Sequence, residues 1–149
     1  MVRNLAAQIE AIWPYEEPVF KRHPSPALVL DVGCGTGEVL SRLARVFPKA
    51  SFTGLDLEES HLERARAKNA PFGDRVRFQR DDAMHLSLKD AQFDLAISRH
   101  VLQALPDARR AVQEMVRVLK PGGRLHLIAE DYGMLWCHPT GLEDRKSVV

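Results

Sequence analysis

The stretch that decides the fold is ALVLDVGCGTGEVL, residues 27–40. It opens with an apolar run rich in branched side chains, which is typical of a strand buried on both faces of a parallel sheet. Gly33, Gly35 and Gly37 follow at once. The next residues place apolar side chains at helical spacing until Pro48. The stretch therefore predicts a strand, a glycine turn and a helix.

The alternation of strand and helix continues along the chain. Further strands are predicted at residues 51–55, 76–79, 93–98 and 124–129, and a helix at residues 59–68. A later helix is predicted to begin at Asp107 as its cap and to bury Ala108, Ala111, Val112, Met115, Val116 and Leu119. Residues 120–123, Lys-Pro-Gly-Gly, are predicted to form the turn that closes it. Strands that alternate with helices require right-handed crossovers, so we predict a doubly wound α/β fold with a mostly parallel sheet.

Composition indicates one folded core and excludes several classes of protein. The 149 residues carry 21 Lys and Arg against 20 Asp and Glu, a formal net charge of +1, and 45% are hydrophobic. This balance offers no excess of positive charge to nucleic acid, which is not an expected partner. No apolar run approaches the roughly 20 residues that span a bilayer, and the N-terminus lacks a secretory apolar stretch, so we expect a cytoplasmic protein with no membrane segment. Cys34 and Cys137 lack metal-type spacing, so neither a disulfide scaffold nor a metal site is expected.

The glycines lie at the carboxyl end of the first predicted strand, where open α/β sheets bind ligands. Glycine lets the backbone approach a ligand without a side chain in the way. A dinucleotide fingerprint would place its third glycine or alanine at position 38, where this chain has Glu38. A carboxylate in the first turn of the helix, with Asp31 close by, suits a cationic ligand better than an anionic pyrophosphate. A nicotinamide dinucleotide is therefore disfavoured.

Asp56 ends the second predicted strand about 20 residues after Gly33, the spacing at which an acidic residue accepts hydrogen bonds from a ribose diol. The same carboxylate would repel a 2′-phosphate. The alternative interpretation of Asp56 is a solvated turn residue that leads into the next helix. Its position after the glycine turn favours the ribose role.

Four stretches together resemble the class I S-adenosylmethionine-dependent methyltransferases that act on small molecules. They are LDVGCGTG (30–37), GLDLEESHLERARAK (54–68), FDLAISRHVLQALPD (93–107) and VRVLKPGGRLHLIAE (116–130). The resemblance implies a Rossmann-like fold with strand order 3-2-1-4-5. It also implies that S-adenosyl-L-methionine is the cofactor, S-adenosyl-L-homocysteine its product and a small molecule the methyl acceptor.

The resemblance also implies the cofactor-binding residues. In the family the glycine loop receives the methionine portion, the acid after the second strand holds the ribose, and the acid after the third strand contacts the adenine amine. These roles carry over to Asp31, Gly33, Cys34, Gly35, Gly37, Asp56, Leu57, Asp82, Ala83, Ser98 and Arg99. Leu57 would pack on the adenine, and Asp81 is the alternative to its neighbour Asp82. No residue is assigned to a metal.

Three residues are candidates for taking a proton from the acceptor. His100 follows the fourth predicted strand and is either a general base or a cap of the next helical turn. Its neighbour Arg99 is either the partner of the cofactor's carboxylate or a solvated side chain. Asp131 and Tyr132 follow the fifth predicted strand at the ligand end of the sheet.

Residues 1–26 are predicted to be a helical lid segment, and residues 27–149 the cofactor-binding domain. An amphipathic helix over residues 5–13 is expected to end or kink at Pro14, with a second turn over residues 16–22. Three side chains of the segment, Tyr15, Glu16 and Glu17, are candidates to cover the cofactor.

The stretch from residue 130 onward departs from the family, which usually adds two further strands after the fifth. No strand pair is evident in residues 130–149, so we predict a sheet that lacks those two strands. An exposed fifth strand favours association, so either a homodimer or a poorly behaved monomer is expected. The same departure leaves open an alternative function, a truncated or non-catalytic module that binds S-adenosylmethionine.

Overall fold

Residues 2–129 are described by the computed structural model of the chain. The helices are α1 (Val2–Phe20), α2 (Glu38–Val46), α3 (Glu59–Asn69) and α4 (Ala108–Val118). The strands are β1 (Leu28–Val32), β2 (Ser51–Asp56), β3 (Val76–Arg80), β4 (Phe93–Arg99) and β5 (Leu119–Ile128). Two 3₁₀ segments lie at Ala70–Arg75 and Leu102–Ala104.

The five strands form one sheet in the order β3-β2-β1-β4-β5, and every pairing within it is parallel. In the centre, Val29 of β1 is level with Phe52 of β2 and with Leu95 of β4. The predicted fold class and strand order are therefore confirmed. Because parallel strands end at the same edge, the carboxyl ends of β1, β2 and β4 lie side by side.

Two core layers enclose the sheet, and successive residues of β1 belong to different layers. Val29 packs with the layer under α1 and α2, whereas Leu30 packs with the layer under α4. Successive side chains of a strand point to opposite faces, so a strand buried on both sides is apolar on both, and in β1 the exception is Asp31 near the carboxyl end. This is the physical reason for the apolar run that opens the deciding stretch.

α1 continues through both of its prolines, so the helix does not end at Pro14. Proline costs a helix one hydrogen bond and crowds the preceding turn. Pro14 and Pro18 are both exposed, where water can satisfy the freed carbonyls, while Trp13 and Phe20 are buried with ring centroids 5.8 Å apart. Tertiary packing of the aromatic face thus outweighs the local cost. The division of the chain at residue 26 stays a prediction.

β5 begins five residues earlier than predicted and contains the expected turn as an irregularity in the pairing. Phe93 pairs with Leu119, and the next pair joins Leu95 to Arg124. Gly122 has a φ of 79° within the extra residues. The glycine therefore bends a strand rather than only linking a helix to it.

α4 begins as predicted, but its buried face is rotated from the expected one. The Asp107 side chain caps the helix by accepting a hydrogen bond from the Arg110 amide at 2.9 Å. The buried residues are Ala111, Glu114, Met115 and Val118. Val116, predicted to be buried, is 56% exposed.

None of the helices described between residues 2 and 129 is long and apolar enough to span a membrane.

A histidine pair connects the segment after α1 to β5. His23 Nε2 lies 3.1 Å from His126 Nδ1, and the Phe20 ring stacks on His126 at 4.2 Å between centroids. Burial, together with the charges of His23 and Arg99, lowers the pKa of His126 to about 4. Burial also lowers the pKa of His23, as does the charge of Arg124. Both rings are therefore neutral at pH 7.

We predict that the His126→Asn variant loses less stability in acid than the wild type. The unfolded state takes up a proton at the ordinary pKa of His126, whereas the folded state does so only near pH 4. The stabilisation is thus complete above about pH 6.5 and is lost as the pH falls toward 4. Urea unfolding at pH 7, 6, 5 and 4 measures this slope.

The exposed Gln113 supplies the control, since Gln113→Asn changes no titratable group and should leave the slope unchanged. The raised pKa of Asp31 acts in the opposite direction over the same pH range, but Asp31 is present in all three proteins. Identical slopes in wild type and His126→Asn would contradict the prediction.

Candidate cofactor-binding site

A cavity of about 240 Å³ lies at the carboxyl ends of β1, β2 and β4. It brings together seven of the residues predicted to form the site, Asp31, Gly33, Cys34, Gly35, Asp56, Arg99 and His100. It is also lined by residues that the sequence analysis did not assign to the site, Ile9, Thr36, Val39, His61 and Val101, and by Glu38. The position of His61 in the first turn of α3, beside the end of β2, was the available signal for that residue.

Two glycines of the loop are required by the packing of the chain itself. Gly33 and Gly37 have φ angles of 76° and 72°, in the left-handed region that favours glycine. A Cβ atom at Gly33 would lie 2.3 Å from Cγ2 of Val101, and one at Gly37 would lie 2.7 Å from Nδ2 of Asn69. The loop is therefore held by its neighbours before any ligand is considered.

We predict that Gly33→Ala lowers the free energy of unfolding by more than about 3 kcal/mol, because a left-handed conformation and a steric clash act together. Gly122→Ala is the matched control, since Gly122 has a φ of 79° with nothing within 4 Å of the added Cβ. It should lose only about 1–2 kcal/mol. Urea unfolding compares the two, and equal losses would contradict the role of Val101.

Asp31 presents a buried carboxylate to the cavity. The residue is 2% exposed, and its Oδ2 has no hydrogen-bond partner within the described part of the chain. Burial raises the pKa of Asp31 to about 7, the charge of Arg99 opposes the rise, and the charge of Asp56 adds to it. A cationic ligand group beside this oxygen would favour the ionised carboxylate.

Asp56 is fixed between the glycine loop and α3. Its Oδ2 accepts a hydrogen bond from the Gly35 amide at 2.8 Å, and its Oδ1 accepts one from the Glu58 amide at 2.9 Å. The Nδ1 atom of His61 lies 3.6 Å from Oδ1. These contacts do not fit the alternative of a freely solvated turn residue. The ribose role of Asp56 stays a prediction.

Arg99 is buried in an ion pair with α1, which excludes the solvated alternative. Its Nε and Nη2 donate to Oε1 of Glu16 at 3.1 and 2.8 Å. Ser98, in contrast, is fully buried, and its side chain does not line the cavity. The contact between Ser98 and the cofactor stays a prediction.

Two further residues predicted to belong to the site, Cys34 and His100, differ from each other in their environments. Burial raises the pKa of the Cys34 thiol far above its ordinary value, so this side chain is a neutral packing group rather than a nucleophile. His100 has a φ of 55°, and its amide donates to the Ile128 carbonyl at 2.7 Å. The role of His100 as a base stays a prediction, and Asp131 and Tyr132 lie outside the described residues.

The residues predicted to hold the adenine lie outside the cavity lining, in the loop that borders Asp56. The Asp81 amide donates to the Asp56 carbonyl at 3.2 Å, and the buried Asp81 carboxylate accepts from the Ser87 amide at 2.9 Å. Asp82 is more exposed and accepts from the Met84 amide at 2.8 Å. Asp81 therefore builds the loop, which leaves Asp82 as the acid available to a ligand. Leu57 is 52% exposed nearby, whereas Ala83 is buried.

Glu114 of α4 anchors this loop, a role that no local pattern indicated. Its Oε2 accepts hydrogen bonds from the Leu86 amide at 3.0 Å and from Arg117 Nη2 at 2.8 Å. The hydrogen bond from Arg117 lowers the pKa of this buried carboxyl. Arg117 also donates to the Leu86 and Leu88 carbonyls, each at 2.9 Å. The loop and the helix are thus joined by the buried Glu114 carboxylate and the partly exposed Arg117.

Glu114→Ala should lower the free energy of unfolding by about 2 kcal/mol, because it leaves the buried Leu86 amide without its acceptor, while Arg117 keeps its ion pair with Asp90. Gln113→Ala, an exposed position on the same helix, should change it by less than about 0.5 kcal/mol. Chemical unfolding measures both variants. Equal stabilities would show that Glu114 does not hold the loop.

Glu38 lines the cavity, but its charge is shared with Lys68 of α3, which forms an ion pair with it. The preference for a cationic ligand therefore depends more on Asp31 and Asp56 than the sequence indicated. Within residues 2–129, no group of three or more His, Cys, Asp or Glu side chains is arranged to hold a metal ion.

Two curated proteins that this chain resembles are both named as methyltransferases. A 27-O-demethylrifamycin SV methyltransferase of Amycolatopsis mediterranei is 41% identical over 117 residues, which cover 77% of this chain and 42% of that protein. A trans-aconitate 2-methyltransferase of Deinococcus radiodurans is 41% identical over 99 residues, which cover 66% of this chain and 36% of that protein. The chain thus spans about two fifths of the length of these relatives.

Solved structures share the fold. The [4+2]-cyclase SpnF is 37% identical with a TM-score of 0.64, and the match covers 68% of this chain and 38% of that one. The PH0226 protein from Pyrococcus horikoshii OT3 is 28% identical with a TM-score of 0.67, over 80% of this chain and 55% of that one. Residues 29–123, more than half of the chain, match the family described as "Methyltransferase domain". The glycine loop, the parallel sheet and this match together show that the chain belongs to the methyltransferase domain family.

Proposed function

We propose that the protein binds S-adenosyl-L-methionine and transfers its methyl group to a small-molecule acceptor, with S-adenosyl-L-homocysteine as the product. The observation that carries the proposal is the meeting of Asp31, Asp56 and Arg99 in one cavity at the carboxyl edge of the sheet. Membership of the methyltransferase domain family supports it.

The charged groups of the cavity fit those of the cofactor. Asp31 offers a buried carboxylate oxygen without a hydrogen-bond partner in the described chain, which suits the cofactor's ammonium group. Among the described residues that line the cavity, Arg99 is the one Lys or Arg, so it is the group we assign to the cofactor's carboxylate. Asp56 is fixed as an acceptor for ribose hydroxyls.

The adenine is proposed to lie beyond Asp56, against the loop that follows β3. The exposed Leu57 side chain offers an apolar surface for the ring. The Asp82 carboxylate uses Oδ1 for the Met84 amide, whereas both oxygens of Asp81 accept from Ser87, so Asp82 is the acceptor that we assign to the adenine amine. The adjacent Ala83 is the other residue of this loop that we assign to the adenine.

Bound in this way, the cofactor supplies a methyl group that is already activated by the positive charge on sulfur. The chain's own residues have to orient the reactants and exclude water. The glycine loop and Arg99 fix one end of the cavity, while Ile9 of α1 closes part of its wall. We propose His100 as the residue that takes the acceptor's proton, with Asp131 and Tyr132 as the other candidates.

Calorimetric titration of the purified chain tests the cofactor assignment. S-adenosylmethionine and S-adenosylhomocysteine should both bind and NAD should not. Asp56→Ala should weaken both by more than about tenfold, because two ribose hydrogen bonds to a charged group are lost. The exposed Asp74, 99% accessible, gives the control Asp74→Ala, which should bind as the wild type does. Binding of NAD alone by folded protein would contradict the proposal.

The class of acceptor, the cellular location and the oligomeric state are proposed from the relatives, the composition and the edge of the sheet. The relatives named after rifamycin and aconitate support a small organic acceptor. A near-neutral composition gives no support for nucleic acid as the acceptor. We also propose a cytoplasmic location.

A homodimer through the outer edge of β5 is proposed because β5 pairs with β4 alone among the described strands.

A second candidate is a module that binds the cofactor without transferring its methyl group. The similarity to a [4+2]-cyclase supports it, because a related chain is named for a different reaction. Binding without turnover on any acceptor would favour this candidate, whereas methylated product would exclude it.

A further inference from the structure

A carboxylate of α1 reaches the wall of the cavity. Glu16 and Arg99 are 83 residues apart in the sequence, yet both guanidinium donors Nε and Nη2 converge on one oxygen, Oε1 of Glu16. The two side chains are only 8% and 10% exposed. The other oxygen, Oε2 of Glu16, is buried without a hydrogen-bond partner within residues 2–129.

A buried ion pair of this kind contributes little to the net stability of the folded state. Removing two charges from water costs free energy that their attraction only partly returns, and apolar side chains of similar size often serve as well. The geometry of the contact, in contrast, is specific. A planar guanidinium held at two donors by one carboxylate oxygen has a fixed orientation, and its remaining N–H groups have fixed directions.

Arg99 is oriented in this way while it lines the cavity. Its described hydrogen bonds use Nε and Nη2, so Nη1 and the second hydrogen of Nη2 are not needed for Glu16. The same helix also contributes Ile9 to the cavity wall. α1 is therefore attached to the methionine end of the site at two places.

Resting on the proposed function, we propose that Glu16 is a positioning residue: it holds the guanidinium of Arg99 so that the remaining N–H groups bind the carboxylate of the cofactor's methionine portion. Glu16 itself does not touch the cofactor. α1 must therefore be packed in its observed position for the site to bind that carboxylate.

The test uses two ligands that differ only in this group, S-adenosylmethionine and decarboxylated S-adenosylmethionine. Calorimetry gives the Kd of each for the wild type and for Glu16→Gln. We expect Glu16→Gln to weaken S-adenosylmethionine by about tenfold, the scale of a hydrogen bond to a charged group, and to leave the decarboxylated ligand within about twofold.

Two comparisons separate positioning from a general structural role. Glu10→Gln makes the same charge change elsewhere on α1, where the side chain is 74% exposed and pairs with Arg42, and it should alter neither Kd. Arg99→Met should remove the preference for the carboxylate. In the Glu16→Gln, Arg99→Met double variant, which leaves no unpaired buried charge, the Glu16 change should have no further effect.

The outcomes distinguish the positioning role from the proposed function. Equal weakening of both ligands by Glu16→Gln would make Glu16 merely structural, and tighter binding of S-adenosylmethionine would show that Glu16 withholds Arg99 from the ligand. Either result, or an unchanged Kd, overturns the positioning role while the cofactor assignment stands. Failure of the folded wild type to bind either ligand would overturn the proposed function and this role with it.

Discussion

The rest of the structure depends on the burial of β1 on both faces at the centre of the sheet. Val29 and Leu30 belong to opposite core layers, so the strand has no solvent-facing side on which a polar residue could lie. Polar groups can collect only where β1 and its neighbours end. Gly33 turns the chain there against Val101, and this turn places Asp31 and Asp56 around one cavity.

Burial then gives the cavity its chemistry. Burial raises the pKa of Asp31 to about 7, so a cation beside the carboxyl group would stabilise its ionised form. Arg99 supplies the one permanent positive charge among the described lining residues, and Glu16 holds it there. Negative, positive and hydrogen-bond-accepting groups are thus held in an order that complements an amino acid joined to a nucleoside.

The elements of the sheet and the glycine loop could be predicted from the sequence, because apolar periodicity, glycine and capping residues act locally. The rest depends on packing between distant segments. α1 continues through Pro14 because buried aromatic rings hold it, Val116 is exposed because α4 is rotated on the sheet, and Lys68 offsets Glu38 from another helix. The contacts of Glu16 and Glu114 are likewise tertiary, and no spacing in the sequence indicates them.

The most direct test of the account is a crystal structure of the chain with S-adenosyl-L-homocysteine. The account predicts the amino group beside Asp31, the carboxylate on Arg99 with Glu16 still paired behind it, and the ribose hydroxyls on Asp56. A ligand bound away from the carboxyl ends of β1, β2 and β4, or one whose carboxylate contacts neither Arg99 nor its surroundings, would contradict it.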